Sequence, residues 1–198
     1  MFTTEHSPQR IRRIALGDML QRSACRFGEH TALIDGEQRI SYGELNKEAN
    51  RLAHHLLGQG LRSKDGVGML CANSIQMVIA VFGIQKAGLT WVPINTSLAA
   101  DAIGYIIDHA EIRSMIIDAG FYGKTDLPDL LQNKNIEPLL TVLPHESSPE
   151  GTLTLLDAIA SGPPATPEIQ IRSEQLAFIM YTSGPPASKK ASCTRIHR

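Results

Sequence analysis

Near the end of the chain, Thr182, Ser183 and Gly184 follow the apolar run Leu176-Ala-Phe-Ile-Met-Tyr181. The two hydroxyls can donate to anionic oxygens, and the glycine lets backbone N–H groups approach them closely. A continuous apolar run of this length predicts a strand buried on both faces. A strand that opens into a glycine-containing, hydroxyl-rich loop has the layout of a nucleotide-binding turn. On composition alone the same residues also fit an ordinary turn after a buried strand, and both readings stand at this level.

Other chemistry-bearing side chains do not assemble. Glu44, Glu48 and the scattered aspartates lack a partner at general-acid spacing and read as surface charge. His54 and His55 are adjacent, so they point in different directions, make a poor metal pair and read as solvated helix positions. His109 and Glu111 are possible ligands, but no third follows at metal spacing. Ser183 has no evident base to make it a hydrolytic nucleophile. No catalytic residue and no metal ligand is assigned. Cys25, Cys71 and Cys193 are odd in number and scattered, without CxxC spacing or a disulfide framework, which suits a reducing cytoplasm. Cys71 lies in an apolar run and reads as a small buried hydrophobe.

The elements that must position the Thr182 loop alternate in type. Apolar spacing predicts a helix over Ile14 to Phe27, with Gly28 as its stop. Ala32–Ile34 and Arg39–Ser41 read as a hairpin around the Asp35-Gly36 turn. Ser41 and Glu44 form a capping box for a helix ending at Gly58 or Gly60. Val67–Cys71 reads as a buried strand, followed by a helix capped by Asn73 or Ser74, with Gly88 past its end. Leu89–Pro93 is the next strand. A helix from Ser97 or Asp101 to His109 and a strand at Ser114–Ile117 follow. Beyond Asp118 the pattern weakens to a short helix at Leu127–Leu131 and a strand at Leu139–Leu143. Pro144–Gly151 and Ser161–Pro167 read as linkers, with a short helix over Leu153–Ala160 between them. Strand, helix, strand, helix, strand predicts an α/β fold, an open and mainly parallel sheet flanked by helices.

Composition sets bounds on partners. The 198 residues are 42% hydrophobic and 20% charged, with a net charge of −1. That is ordinary for a soluble domain and gives no electrostatic reason to expect nucleic acid. The basic residues near Arg10–Arg13 have no signal-like apolar core behind them, and no run is long enough to span a membrane. A cytoplasmic, soluble protein is the expectation.

The stretch LAFIMYTSG resembles the start of the ATP-binding signature, roughly YTSGTTGxPKG, of the adenylate-forming enzymes: acyl-CoA synthetases, luciferases and peptide-synthetase adenylation domains. The segments TALIDGEQRISYGELNKEANRLAHHL and GLRSKDGVGMLCANSIQMVIAVFGIQKAGLTWVPINTSLAADAIGYIIDHAEIRSMIID are also similar to the family's N-terminal region. The likeness spans about Leu16 to Gly184, making 1–184 a partial, incomplete N-terminal domain of that fold. It implies a carboxylic acid, ATP, Mg²⁺ and CoA as reactants and cofactors, and an acyl-adenylate as intermediate. It also implies that Thr182, Ser183 and Gly184 hold phosphate, with Lys190 in the register of the signature lysine.

After Gly184 the likeness breaks. Pro185, Pro186 and Ala187 stand where the signature has Thr-Thr-Gly. Proline removes N–H donors and fixes φ, the reverse of what a phosphate cradle needs. Reading the codons of 185–198 one nucleotide out of frame back-translates without conflict to TTGKQKGVMHTH, which restores the signature. The expectation is a frame-shifted, non-homologous tail over 185–198 and a truncated acyl-CoA-synthetase-like chain without adenylation activity of its own. Lys190 then owes its register to a coincidence of codons. The parent's adenine-binding residues, magnesium-binding glutamate, lid lysine and most of the acyl pocket would lie downstream. A strand at Leu176 robbed of its neighbours would leave a sheet edge open to aggregation. Two alternatives stand beside this reading. One is a non-catalytic fragment that binds nucleotide or a partner supplying the missing part. The other is a dinucleotide-dependent oxidoreductase, disfavoured because no GxGxxG follows a strand.

Overall fold

The computed structural model describes residues 15–122, 127–134, 136, 139–142, 152–172, 175–182 and 192–196. Ile14, Ser183, Gly184 and Lys190 lie outside these residues.

The chain begins with α1 (Leu16–Phe27) and a two-stranded hairpin, β1 (Thr31–Asp35) and β2 (Gln38–Ser41). The hairpin turns at Gly36, whose φ of 58° is the left-handed conformation that glycine adopts without strain. The capping box forms as expected: Glu44 N–H donates to Ser41 Oγ at 3.2 Å, and Ser41 N–H donates to Glu44 Oε2 at 3.0 Å. It starts α2 (Tyr42–Gly58). Then come β3 (Gly66–Leu70), α3 (Ile75–Lys86), β4 (Thr90–Pro93), α4 (Ala100–His109) and β5 (Ile112–Ile117). Ser74, the second of the two expected caps, accepts from Met77 N–H at 3.1 Å. At α4 neither Ser97 nor Asp101 is the cap. Ala99 takes that place without a side-chain bond, and Asp101 lies in the first turn, where its charge favours the helix start.

Short elements follow: α5 (Ala119–Tyr122), α6 (Leu127–Asn133), β6 (Leu139–Thr141), β7 (Leu153–Thr154), α7 (Leu155–Ser161), β8 (Phe178–Thr182) and β9 (Ser192–Ile196). The expected helix over Leu153–Ala160 is therefore a two-residue strand and then a helix capped by Thr154, which accepts from Asp157 N–H at 3.1 Å.

The main sheet has the order β7-β6-β5-β3-β4-β8-β9, parallel throughout except for the β8–β9 pair. Crossovers from β3 to β4 and from β7 to β8 move one way along the sheet, and those from β4 to β6 move the other way. The right-handed rule then puts α3 and α7 on one face and α4 and α6 on the opposite one. The core divides on that line. Leu52, Leu56, Ile79, Ile84, Leu155 and Ile159 pack with Val67, Met69 and Ile116. Ile103, Ile106, Ile107, Leu127 and Leu131 pack with Val92, Met115 and Ile117. Because both faces are covered, β3 is buried at every position, as its unbroken apolar run requires.

Two expectations about β8 are corrected. It is half-buried rather than buried on both faces: Ile179 faces the core, whereas Met180 is 41% exposed. Its outer edge is not open, because β9 pairs with it from Phe178↔Ile196 to Thr182↔Ser192.

Candidate functional site

In an open α/β sheet, ligands bind beyond the carboxyl ends of the strands, where loops let backbone and polar side chains converge. Here that rim carries Cys71, Asn73 and Ser74 after β3, Asn95 to Ser97 after β4, Asp118 after β5 and Thr182 at the end of β8. Most of these groups serve the local backbone. Ser74 caps α3, Asn95 Oδ1 accepts from Ser97 N–H at 2.9 Å, and Asp118 Oδ1 accepts from Gly120 N–H at 3.0 Å. Cys71 is half-buried rather than buried, and its thiol donates to Ile116 O at 3.3 Å. Burial, with the Asp118 charge adding to it, pushes the thiol up to about 12. It therefore stays a neutral thiol, unsuited to nucleophilic work.

Thr182 stands at the very end of its strand. It is exposed, and strand alternation puts it on the α3 face with Phe178 and Met180. Trp91 stands opposite Phe178. Counting along the two parallel strands sets Thr182 level with Asn95, two residues past the end of β4. Its side chain therefore stands exposed at the rim of the sheet. Of the four expected phosphate-binding residues, only Thr182 falls among the described residues.

β8 is held at both ends by residues distant in sequence. At its start, Ala177 O accepts from Trp91 N–H at 3.0 Å and from Gln85 Nε2 at 2.6 Å, with Gln85 only 1% exposed. The Thr90 hydroxyl donates to Leu176 O at 3.4 Å. At its end, on the α4 face, Tyr181 Oη and His109 Nδ1 are hydrogen-bonded at 2.7 Å. The His109 ring stacks on Tyr105 with centroids 5.5 Å apart and meets the Tyr181 ring edge-on at 5.7 Å. His109 is thus engaged with aromatic neighbours rather than with Glu111. Among the described residues no three His, Cys, Asp or Glu side chains gather to hold a metal.

His54 and His55 also differ from expectation. They are half-buried, not solvated: His54 Nε2 lies 3.0 Å from Ala165 O, and His55 Nδ1 lies 2.9 Å from Ser161 Oγ. Asn50 Nδ2 donates to Pro164 O at 2.7 Å, and Arg51 Nη1 donates to Gly162 O at 2.9 Å. One flank of α2 therefore holds the segment expected to be a loose linker. No sequence signal marks these contacts or the His109–Tyr181 pair, because each joins residues more than seventy positions apart.

Comparison with known proteins places this arrangement. The profile of the AMP-binding enzyme family matches residues 20–190. A medium/long-chain-fatty-acid–CoA/3-oxocholest-4-en-26-oate–CoA ligase of Mycobacterium tuberculosis (strain ATCC 25618 / H37Rv) is 29% identical over 171 residues, 85% of this chain and 31% of the ligase. A linear gramicidin synthase of Brevibacillus parabrevis is 33% identical over 177 residues, 87% of this chain and 3% of that protein. Among solved structures, the anthranilate CoA ligase AuaEII in complex with anthranoyl-AMP superposes with a TM-score of 0.80 at 24% identity. The superposition covers 92% of this chain and 34% of that one. A benzoate CoA ligase from Burkholderia xenovorans LB400 gives 0.78 at 20%, covering 93% and 35%. The chain thus spans about a third of the length of the CoA ligases that it matches. Over that span the sequence match and the shared fold agree: the chain belongs to the AMP-binding enzyme family, whose members form adenylates.

Proposed function

We propose that this chain is the nucleotide-gripping part of an ATP-dependent acid–thiol ligase whose substrates are fatty or aromatic carboxylic acids. The observation that carries this reading is the exposed Thr182 at the carboxyl end of β8, at the head of a family signature. In the reaction proposed for the parent, a carboxylate oxygen bonds to the α-phosphorus of ATP and pyrophosphate leaves. The CoA thiolate then attacks the acyl carbon, and AMP departs. Thr182 Oγ donates to a phosphate oxygen, with Ser183, the Gly184 backbone and Lys190 as further proposed phosphate contacts. A charge-assisted hydrogen bond of this kind contributes about 1.5–3 kcal/mol when shielded from water. Mg²⁺, when bound, neutralises charge on the phosphates. Its protein ligands are proposed to lie in the remainder of the parent, where the resemblance puts the magnesium-binding glutamate.

By itself the chain is proposed to grip nucleotide without adenylating a carboxylate, and residues 185–198 are proposed to arise from a shifted reading frame. The nucleotide sequence around and beyond the Tyr181 codon tests the second point directly. If the shifted frame runs on, the restored protein should show carboxylate-dependent exchange of pyrophosphate into ATP, and the present chain should not. Exchange by the present chain that is lost in Ser183→Ala would overturn the proposed inactivity. Binding of Mg-ATP that Thr182→Ala leaves unaltered would overturn the role given to Thr182.

A further inference from the structure

We propose that His109 is a positioning residue for Thr182, acting through Tyr181; this rests on the phosphate-gripping role proposed above. Adjacent strand residues point to opposite faces, so fixing the Tyr181 side chain on the α4 face fixes the direction in which Thr182 projects from the other. The inner neighbour of β8 gives little help at this point. The β4–β8 bridge stands at Trp91 and Phe178, and the residue level with Met180 is Pro93, which has no N–H to carry the ladder on.

His109 supplies a hold from outside the sheet. It closes α4, a helix whose Ile103, Ile106 and Ile107 are anchored in the core. Its ring, though exposed, is stacked on Tyr105 on one side and meets the Tyr181 ring edge-on as well as bonding its hydroxyl. Besides its backbone pairing with β9, Thr182 is therefore restrained by a helix end fixed in the core, an imidazole beside a tyrosine, and a phenol hydroxyl one residue away. The 2.7 Å bond makes the Tyr181 position directional.

Three variants isolate that bond. His109→Phe keeps an aromatic ring beside Tyr105 and Tyr181 but removes the nitrogen. Tyr181→Phe removes the hydroxyl from the other side. His109→Asn places an amide group near the position of Nδ1 and should restore the bond. Backbone amide exchange at Tyr181 and Thr182 is measured alongside the thermal midpoint. We expect exchange about fivefold faster in His109→Phe and in Tyr181→Phe, no further gain in the double variant, near-normal rates in His109→Asn and unchanged midpoints. Normal rates in both single phenylalanine variants would overturn the proposal, as would His109→Asn exchanging as fast as His109→Phe. If either variant fails to fold, the other decides. Titration with Mg-ATP separates this proposal from the one beneath it. Affinity lowered in step with the faster exchange supports both, whereas absence of binding by the unaltered chain removes the phosphate role and leaves the exchange rates to judge His109.

Discussion

Replacing Gly83 by alanine tests whether the two helices under the sheet are as close as their sequences permit. An added Cβ at Gly83 would meet Leu52 Cδ2 at 2.7 Å, and Leu52 Cβ and Cγ at 3.0 Å. Leu52 Cβ is fixed to the α2 backbone, so rotation of the leucine cannot relieve the whole overlap, and the residue is fully buried. Overpacking of this kind costs about 1–3 kcal/mol. The same change removes a glycine from a helix interior, a gain of about 1 kcal/mol. The net expectation is a loss of about 1 kcal/mol, equivalent to a fall in the thermal midpoint of about 2–4 °C in a domain of this size.

The control is the same substitution elsewhere. Gly58, the last residue of α2, has open space around an added Cβ and no left-handed φ. Gly58→Ala should therefore raise stability by about 0.4–1 kcal/mol through the unfolded chain. Urea unfolding with unchanged m values is the assay, because a changed m would signal a different unfolded state rather than a packing effect. Adding Leu52→Ala to Gly83→Ala should show favourable coupling above about 0.5 kcal/mol, since the new methyl then enters the space that the leucine vacates. If Gly83→Ala stabilises the chain as Gly58→Ala does, the α2–α3 contact has room for the added methyl and is not close-packed at Leu52.

The remaining predictions concern titratable groups. Ser41→Ala should cost about 1 kcal/mol by removing the α2 cap. The Ser41 N–H, and after it the Ser41 hydroxyl, hold the Glu44 carboxyl below its ordinary 4.5, so the part of the loss that comes from the hydroxyl–carboxylate bond is present above that pH and fades as the pH falls through the lowered value. The gap between parent and variant should narrow in acid, leaving the part due to the Glu44 N–H bond to Ser41 Oγ, and a pH-independent gap would refute the assignment. Burial lowers the His55 pKa below 6.5, so the neutral ring is favoured in the fold. Stability should decline as the pH drops from 6.5 through that lowered value, and His55→Gln should flatten the decline. In a Cys193→Ser background at about pH 8, near the ordinary thiol range, iodoacetamide should label the exposed Cys25 and leave Cys71 unmodified in the folded chain. Labelling of Cys71 at a comparable rate would show that its thiol is not held neutral.

Local signals are legible where a single short pattern sets the structure. The Ser41 and Glu44 pair announces its own helix start, and the apolar residues of β3 announce a strand covered on both faces. β7 is not legible, because two residues carry no periodicity and Leu153–Thr154 becomes a strand only by lying beside Leu140–Thr141. The start of α4 misleads for a related reason. Ser97 and Asp101 are both good caps by residue type, but the chain enters the helix between them. His54 and His55 look solvated in sequence because the carbonyl and hydroxyl that they meet come from Ser161 to Ala165, beyond the reach of any local pattern.

The same division runs through the candidate site. The Thr-Ser-Gly motif is legible as chemistry, and its strand is legible as a strand, but the placement of that strand is not. Its apolar run predicts burial on both faces, whereas Met180 faces outward and the register is set by other parts of the chain. Gln85 from α3 and Trp91 from β4 fix where β8 begins, and His109 from α4 bonds the residue before Thr182. Each of these residues reads as an ordinary member of its own element. A polar glutamine at a helix end is unremarkable until its amide is seen buried against Ala177 O. A histidine at the end of α4 reads as a ligand without enough partners until Tyr181 is seen across from it. The hydroxyl proposed to grip phosphate therefore comes from a motif that the sequence displays, while the placement of its strand rests on long-range hydrogen bonds that exist only once the sheet has assembled.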